Sequence, residues 1–214
     1  MIKTPIQWVY VVDDDESVRL AIEDLLASVG LAVQGFESTH EFLAYPRPTV
    51  PSCLLLDVRM PGQSGMDFHR QMQGLGVRLP VIFMTGHGDI EMGVQAMKQG
   101  ALDFFTKPFR DHDVLEAIYQ ALEYDAQRLK HEQAHARLVE RWQSLTSAEQ
   151  HVVRQVVAGL LSKQIAAELG LSEVTVKVRR ANAMRKLELN HVVDLVRFMH
   201  ALESDPKAYH TAKP

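Results

Sequence analysis

Five short apolar runs, rich in β-branched and aromatic residues, recur along the first 124 residues of this 214-residue chain. They are WVYVV (8–12), AVQGF (32–36), CLLLD (53–57), PVIFMTG (80–86) and DFFTK (103–107). Segments of helical period separate them. In 16–29, Val18, Ile22, Leu25, Leu26 and Val29 recur at three- and four-residue steps. Strand and helix alternating in this way predict an α/β fold, a doubly wound parallel sheet. The first and third runs are apolar almost throughout, as central parallel strands covered on both faces must be.

Such a sheet gathers its functional groups in the crevice beyond the carboxyl ends of its strands. Asp13, Asp14 and Asp15 follow the first run, Asp57 closes the third, Thr85 the fourth and Lys107 the fifth. Asp15 reads as the N-cap of the next helix. Asp57 stands exposed at the end of a buried strand, as either a paired structural carboxylate or a reactive one. Carboxylates crowded at one sheet edge repel, and a divalent cation and a lysine are their natural neutralising partners. Two carboxylates, a backbone carbonyl and waters suit Mg²⁺. A carboxylate attacking phosphorus forms an aspartyl-phosphate, with Lys107 stabilising charge and Thr85 donating a hydroxyl hydrogen bond. Caps and turns alone do not account for Asp, Asp, Thr and Lys-Pro at four strand ends.

With those residues in place, residues 6–123 resemble the receiver domain of two-component response regulators. The likeness is carried by LLLDVRMPGQSGMD (54–67), VIFMTGHGD (81–89) and GALDFFTKPF (100–109). It implies a flavodoxin-like, five-stranded sheet with Asp57 as phosphoacceptor. It also implies Asp14, Asp57 and the Arg59 backbone carbonyl as Mg²⁺ ligands, with Asp13 acting through a metal-bound water. Thr85 and Phe104 become the switch pair: the hydroxyl turns toward the phosphoryl group and the ring moves inward. The Lys107-Pro108 bond is expected in cis. Arg59 and His87 flank the mouth of the site, His87 as a solvated rim residue, since a hard oxygen site has little use for imidazole. Cys53 packs as a small apolar residue, and a single cysteine excludes an internal disulfide and fits a reducing cytoplasm.

Residues 111–142 read as one long helical stretch. Leu115, Ile118, Leu122, Leu129 and Ala136 follow heptad spacing while Asp125 and Glu132 interrupt it, so a solvated spacer helix and a dimer coiled coil both stand. His131 and His135, four apart without a third ligand, read as surface residues. After Trp142 strand signals stop. Thr146 or Ser147 with Glu149 or Gln150 opens an amphipathic helix ending at Gly159. SKQIAAEL (162–169) ends at Gly170, and Ser172 caps EVTVKVRRANAMRKL (173–187), together a helix-turn-helix.

Charge divides with these patterns. Residues 1–124 carry 17 Asp and Glu against 9 Lys and Arg, a net of −8, and residues 144–214 carry 7 against 10, a net of +3. A basic half beside an acidic one fits a chain of which one part meets a polyanion. Residues 145 to about 202 resemble the LuxR/NarL-type DNA-binding domain, within it the FixJ-like group, through GLLSKQIAAELGLSEVTVKVRRANAMRKL (159–187) and DLVRF (194–198). Val176, Ala183 and Leu187 then pack inward while Lys177, Val178 and Ala181 face bases. Lys163, Thr175, Arg179, Arg180 and Arg185 complete the expected DNA contacts. Arg180 falls on the inward stripe and Arg179 stands where relatives carry histidine, which leaves the operator unreadable.

The two resemblances imply a phosphorylation-activated transcription regulator. Its expected parts are a receiver (1–124), a helical linker (125–143), a LuxR-type helix-turn-helix domain (144–203) and a mobile tail (204–214). A sensor histidine kinase phosphorylates Asp57, dimerisation follows through residues 90–122, and the homodimer binds double-stranded promoter DNA and works with RNA polymerase. The chain is no enzyme beyond weak autophosphorylation and autodephosphorylation. Domain order and motif wording are similar to regulators of styrene catabolism, which implies aromatic-degradation genes as targets. No apolar run approaches the ~20 residues of a membrane span and no signal-peptide pattern opens the chain, so a cytoplasmic protein is expected. Two rival readings fit less well. An aspartyl-nucleophile hydrolase calls for a second aspartate where Arg59 stands, and a metabolite sensor needs an apolar pocket where the acidic groups crowd.

Overall fold

The computed structural model describes residues 6–72, 74–86 and 90–204. The chain divides into two compact units, residues 1–129 and 130–214. In the first, β1 (Trp8–Val12), β2 (Ala32–Phe36), β3 (Ser52–Asp57), β4 (Val81–Thr85) and β5 (Asp103–Thr106) alternate with α1 (Glu16–Ser28), α2 (Thr39–Ala44), α3 (Gly65–Met72) and α4 (Ile90–Lys98). Helix α5 (Asp111–Gln143) begins in this unit. The strands form one parallel sheet in the order β2-β1-β3-β4-β5. Its order reverses between β1 and β3, which opens a crevice beyond their carboxyl ends.

Side-chain alternation explains why both faces are covered. Tyr10, Leu54, Leu56 and Phe83 pack against Phe42, Phe68 and Ala96 of α2, α3 and α4. Val9, Val11, Leu55, Ile82 and Met84 face the other way, toward Ile22 and Leu26 of α1 and Val114, Ile118 and Leu122 of α5. Each fully buried side chain of this size contributes about 1.5–3 kcal/mol over its exposed state. Cys53 is fully buried, and burial raises its thiol pKa, so it packs as expected. The Lys107-Pro108 bond is cis. Val29 departs from its expected place on the buried stripe of α1. The helix stops at Ser28, so Val29 leaves the helical period as the C-cap and is 40% exposed.

The second unit holds the end of α5, then α6 (Ser147–Val157), α7 (Ser162–Leu169), α8 (Glu173–Lys186) and α9 (Val192–Glu203), with no strand among the described residues. The Thr146 side chain caps α6 while Glu149 reaches back to the Thr146 N–H. Gly170, at φ +63°, takes the left-handed conformation that ends α7 and lets α8 start within three residues. The Ser172 hydroxyl then accepts from the Thr175 N–H at 3.1 Å. Val152, Val153, Ile165, Val176, Ala183, Leu187 and Leu195 form the core.

Two expectations for α5 change. Asp125, which interrupts the heptad spacing, is neither a solvated residue nor part of a dimer seam: it is fully buried, accepting from the Ser52 N–H at 2.9 Å and from Arg128 Nε at 2.8 Å. A buried carboxylate therefore ties α5 to the first residue of β3. His131 is exposed, but His135 is half-buried and donates from Nε2 to the Leu202 carbonyl at 3.2 Å. Among the described residues no helix is long and apolar enough to cross a membrane.

Candidate functional site

Parallel register brings the ends of β1, β3, β4 and β5 to one edge, with Val12 beside Leu56, Asp57 beside Met84 and Thr85 beside Thr106. Lys107, one residue past β5, is held there by its N–H donating to the Thr85 carbonyl at 2.8 Å. Its ammonium reaches Asp57 Oδ1 at 2.7 Å and Asp13 Oδ2 at 2.5 Å. One cation therefore joins the carboxylates of two strands. Asp57 Oδ2 accepts from the Arg59 N–H at 2.6 Å, so the turn after β3 orients the carboxylate from the other side.

Asp57 is not exposed, as its position at a strand end had implied. It is 4% accessible, and the pairing with Lys107 makes that burial tolerable. Asp13 is also buried, with Oδ1 accepting from the Asp15 N–H at 3.1 Å. Burial raises the Asp13 pKa, and the hydrogen bond from Lys107 only partly offsets this. For Lys107, burial acts to lower the pKa, but the hydrogen bonds to Asp13 and Asp57 outweigh it and the net shift is upward. Both groups share one environment, in which the ammonium is favoured and the Asp13 carboxylate is poorly solvated.

Thr85 is fully buried at the same edge and Phe104 is half-buried on β5. Asp14 and the Arg59 side chain lie exposed at the mouth. Asp15 caps α1, its carboxylate accepting from the Ser17 N–H at 2.9 Å. His87 lies outside the described residues. Among the described residues no three His, Cys, Asp or Glu side chains form a cage for a metal. Mg²⁺ needs no such cage: it takes one or two carboxylates and keeps several waters. Asp13, Asp14 and Asp57 at a hard-oxygen edge fit that requirement.

Two contributors escaped the sequence reading. Arg19 of α1 donates from Nη1 to the Asp13 carbonyl at 2.6 Å, and a lone helical arginine carries no signal of this. Gly65, at the start of α3, lies so near β3 that a Cβ there would fall 2.1 Å from the Asp57 carbonyl oxygen. Its signal was available, as the second glycine of the turn PGQSG.

In the second unit, Lys163, Lys177, Val178, Ala181 and Arg185 are exposed, while Thr175, Arg179 and Arg180 are half-buried. Lys177 pairs with Glu173 at 2.7 Å. The Thr175 hydroxyl lies 2.8 Å from that of Ser172, within the cap of α8. Lys186 bonds Glu149 at 2.7 Å and thereby fastens α8 to α6. Val174, on the first turn of α8, is 70% accessible.

Comparison with known proteins agrees with this division of labour. Residues 9–119 match the response regulator receiver domain, and residues 143–199 match the bacterial regulatory proteins of the luxR family. Nodulation protein W of Bradyrhizobium diazoefficiens is 46% identical over 194 residues, 91% of this chain and 86% of that protein. Among solved structures, response regulator StyR superposes with a TM-score of 0.81 at 43% identity, covering 91% of this chain and 98% of StyR. Full-length FixJ from B. japonicum gives a TM-score of 0.55 at 36% identity, covering 93% of this chain and 98% of FixJ. The chain belongs to the two-component response regulators of the FixJ/NarL type, with a LuxR-type helix-turn-helix domain. That makes it a transcription regulator rather than an enzyme, with a histidine kinase and DNA as the partners its domains imply.

Proposed function

We propose that a sensor histidine kinase phosphorylates this regulator on Asp57, and that phosphorylation promotes dimerisation and sequence-specific binding to promoter DNA. The observation that carries the reading is the Lys107 ammonium shared by two buried carboxylates at the sheet edge. In the transfer, an Asp57 oxygen attacks the phosphorus of a phosphohistidine. The new P–O bond forms as the P–N bond breaks, and the electron pair leaves on the imidazole nitrogen. Lys107 stabilises the developing negative charge, and the Arg59 N–H holds the second carboxylate oxygen so that one oxygen is presented. Asp14, Asp57 and the Arg59 carbonyl would hold Mg²⁺, with Asp13 reaching it through water. That ion supplies charge neutralisation of the phosphoryl oxygens.

The added charge and acceptors then bias Thr85 and Phe104, which act as a two-state pair. Residues 90–122 carry the change to a second copy, and two helix-turn-helix units meet paired half-sites. Lys177, Val178 and Ala181 face bases, and Lys163, Thr175, Arg179, Arg180 and Arg185 complete the contact surface. RNA polymerase is the downstream partner, and the cytoplasm is the compartment such a pathway requires. Working boundaries are 1–124 for the receiver, 125–143 for the linker, 144–203 for the DNA-binding domain and 204–214 for the tail. Of the tail, residues 205–214 lie outside the described residues. Control of aromatic, styrene-type catabolic genes is supported by the motif wording shared with regulators of that pathway.

Sedimentation of the purified chain in Mg²⁺, with and without beryllofluoride, tests the proposal. A monomer-to-dimer shift in wild type that Asp57→Asn abolishes is the expected result. Absence of beryllofluoride binding by the folded wild type would falsify the phosphoacceptor reading.

A further inference from the structure

Gly93 lies in the middle of the nine-residue helix α4. A glycine at such a place is about 1 kcal/mol less favourable than alanine. Its backbone does not demand glycine, since its φ is not positive. Space is what it provides. A Cβ on Gly93 would fall 3.3 Å from Cδ1, 3.6 Å from Cε1 and 3.8 Å from Cγ of Phe104. Carbon atoms pack best at about 3.5–4.0 Å, so a methyl group there presses on one side of the ring. Phe104, Met92 and Met97 pack together onto the core that contains Phe83 and Ala96.

We infer that Gly93 is the seat of the Phe104 ring, a positioning residue that sets the balance of the switch. The inference rests on the reading of Thr85 and Phe104 as a switch pair. Phe104 is half-buried against α4, so its ring is not drawn wholly into the core. Filling the seat with a methyl group removes room for this position and leaves the inward one, beside Thr85, relatively favoured. A ligand that binds the inward form better must then bind more tightly.

The test is a cycle in the full-length chain: Gly93→Ala, Phe104→Ala and both together. Beryllofluoride titrations in Mg²⁺, followed by fluorine NMR, give the half-saturating concentration. Gly93→Ala should lower it about threefold or more, and the effect should vanish in the Phe104→Ala background. An unchanged or raised value, or the same drop without the Phe104 ring, overturns the seat. Thermal melting supplies a second arm. If Gly93→Ala alone melts early, adding Phe104→Leu, whose smaller side chain clears the methyl group, must restore the melting temperature. Failure to restore it also overturns the inference. Loss of beryllofluoride binding in wild type would instead strike the phosphoacceptor reading and leave the melting arm standing.

Discussion

Lys107 is the side chain on which the site depends, because its ammonium faces both Asp13 and Asp57 within hydrogen-bond distance. Replacing it by methionine leaves two buried carboxylates without their cation, a change that costs about 3–5 kcal/mol. Urea denaturation of Lys107→Met at pH 7 should show that loss. Part of it should return as the pH falls toward 5. Burial raises the Asp13 pKa, so the folded chain takes up this proton before the unfolded chain does, and protonation favours folding. A variant whose stability is flat or falling over that range would show that Asp13 remains ionised and compensated elsewhere. Gly65 makes a different demand. A Cβ 2.1 Å from the Asp57 carbonyl oxygen forces the backbone apart, so Gly65→Ala should lose beryllofluoride binding and destabilise the fold by about 1–3 kcal/mol. Normal binding by that variant would mean that the turn after β3 yields freely.

Two buried acids fasten helices through partners far away in the chain. Glu149 belongs to a capping box, which sequence pattern predicts, but its bond to Lys186 spans 37 positions and joins α6 to α8. That hydrogen bond lowers the Glu149 pKa below the ordinary glutamate value. The folded state therefore binds this proton less readily, and the stabilisation is present above about pH 4.3 and lost as pH falls through the lower folded value. Amide protection factors in α6 and α8 should decline as pH falls below about 4.3 in wild type and less in Glu149→Gln. An equal decline in both would show that the pair adds nothing to folding. Asp125 joins α5 to β3 over 73 positions, where heptad spacing marks it only as an interruption. Strand and helix existence was legible because periodicity is local. These ties were not, because a carboxylate's partner is chosen by folding.

Charge works over the whole chain. The first 124 residues are acidic, with a net of −8, and residues 144–214 are basic, with a net of +3, so attraction to DNA is confined to the second part. Within it the cations are not equivalent: Lys186 is bound to Glu149, whereas Lys163 and Arg185 are exposed. Arg185→Gln should weaken binding to all duplexes alike and lower the salt slope of log K by about 0.9, the share of one phosphate contact. Lys186→Gln should instead lower stability with a smaller change in that slope. Fluorescence anisotropy between about 50 and 200 mM salt measures both slopes, and identical slopes for Arg185→Gln and wild type would remove Arg185 from the interface.

Local pattern along the chain sets the alternation of strands and helices, the helix-turn-helix and the strand-end positions of Asp13, Asp57, Thr85 and Lys107. Those follow from hydrophobic period, capping residues and the rule that a parallel sheet presents its carboxyl ends together. Long-range packing sets the rest: Asp57 is buried, one lysine serves both Asp13 and Asp57, and Asp125 is interior. The room Gly93 leaves for Phe104 is likewise set by that packing. Burial and pairing arise between residues far apart in the chain, where side-chain volume and desolvation are settled by packing, and no local pattern records them.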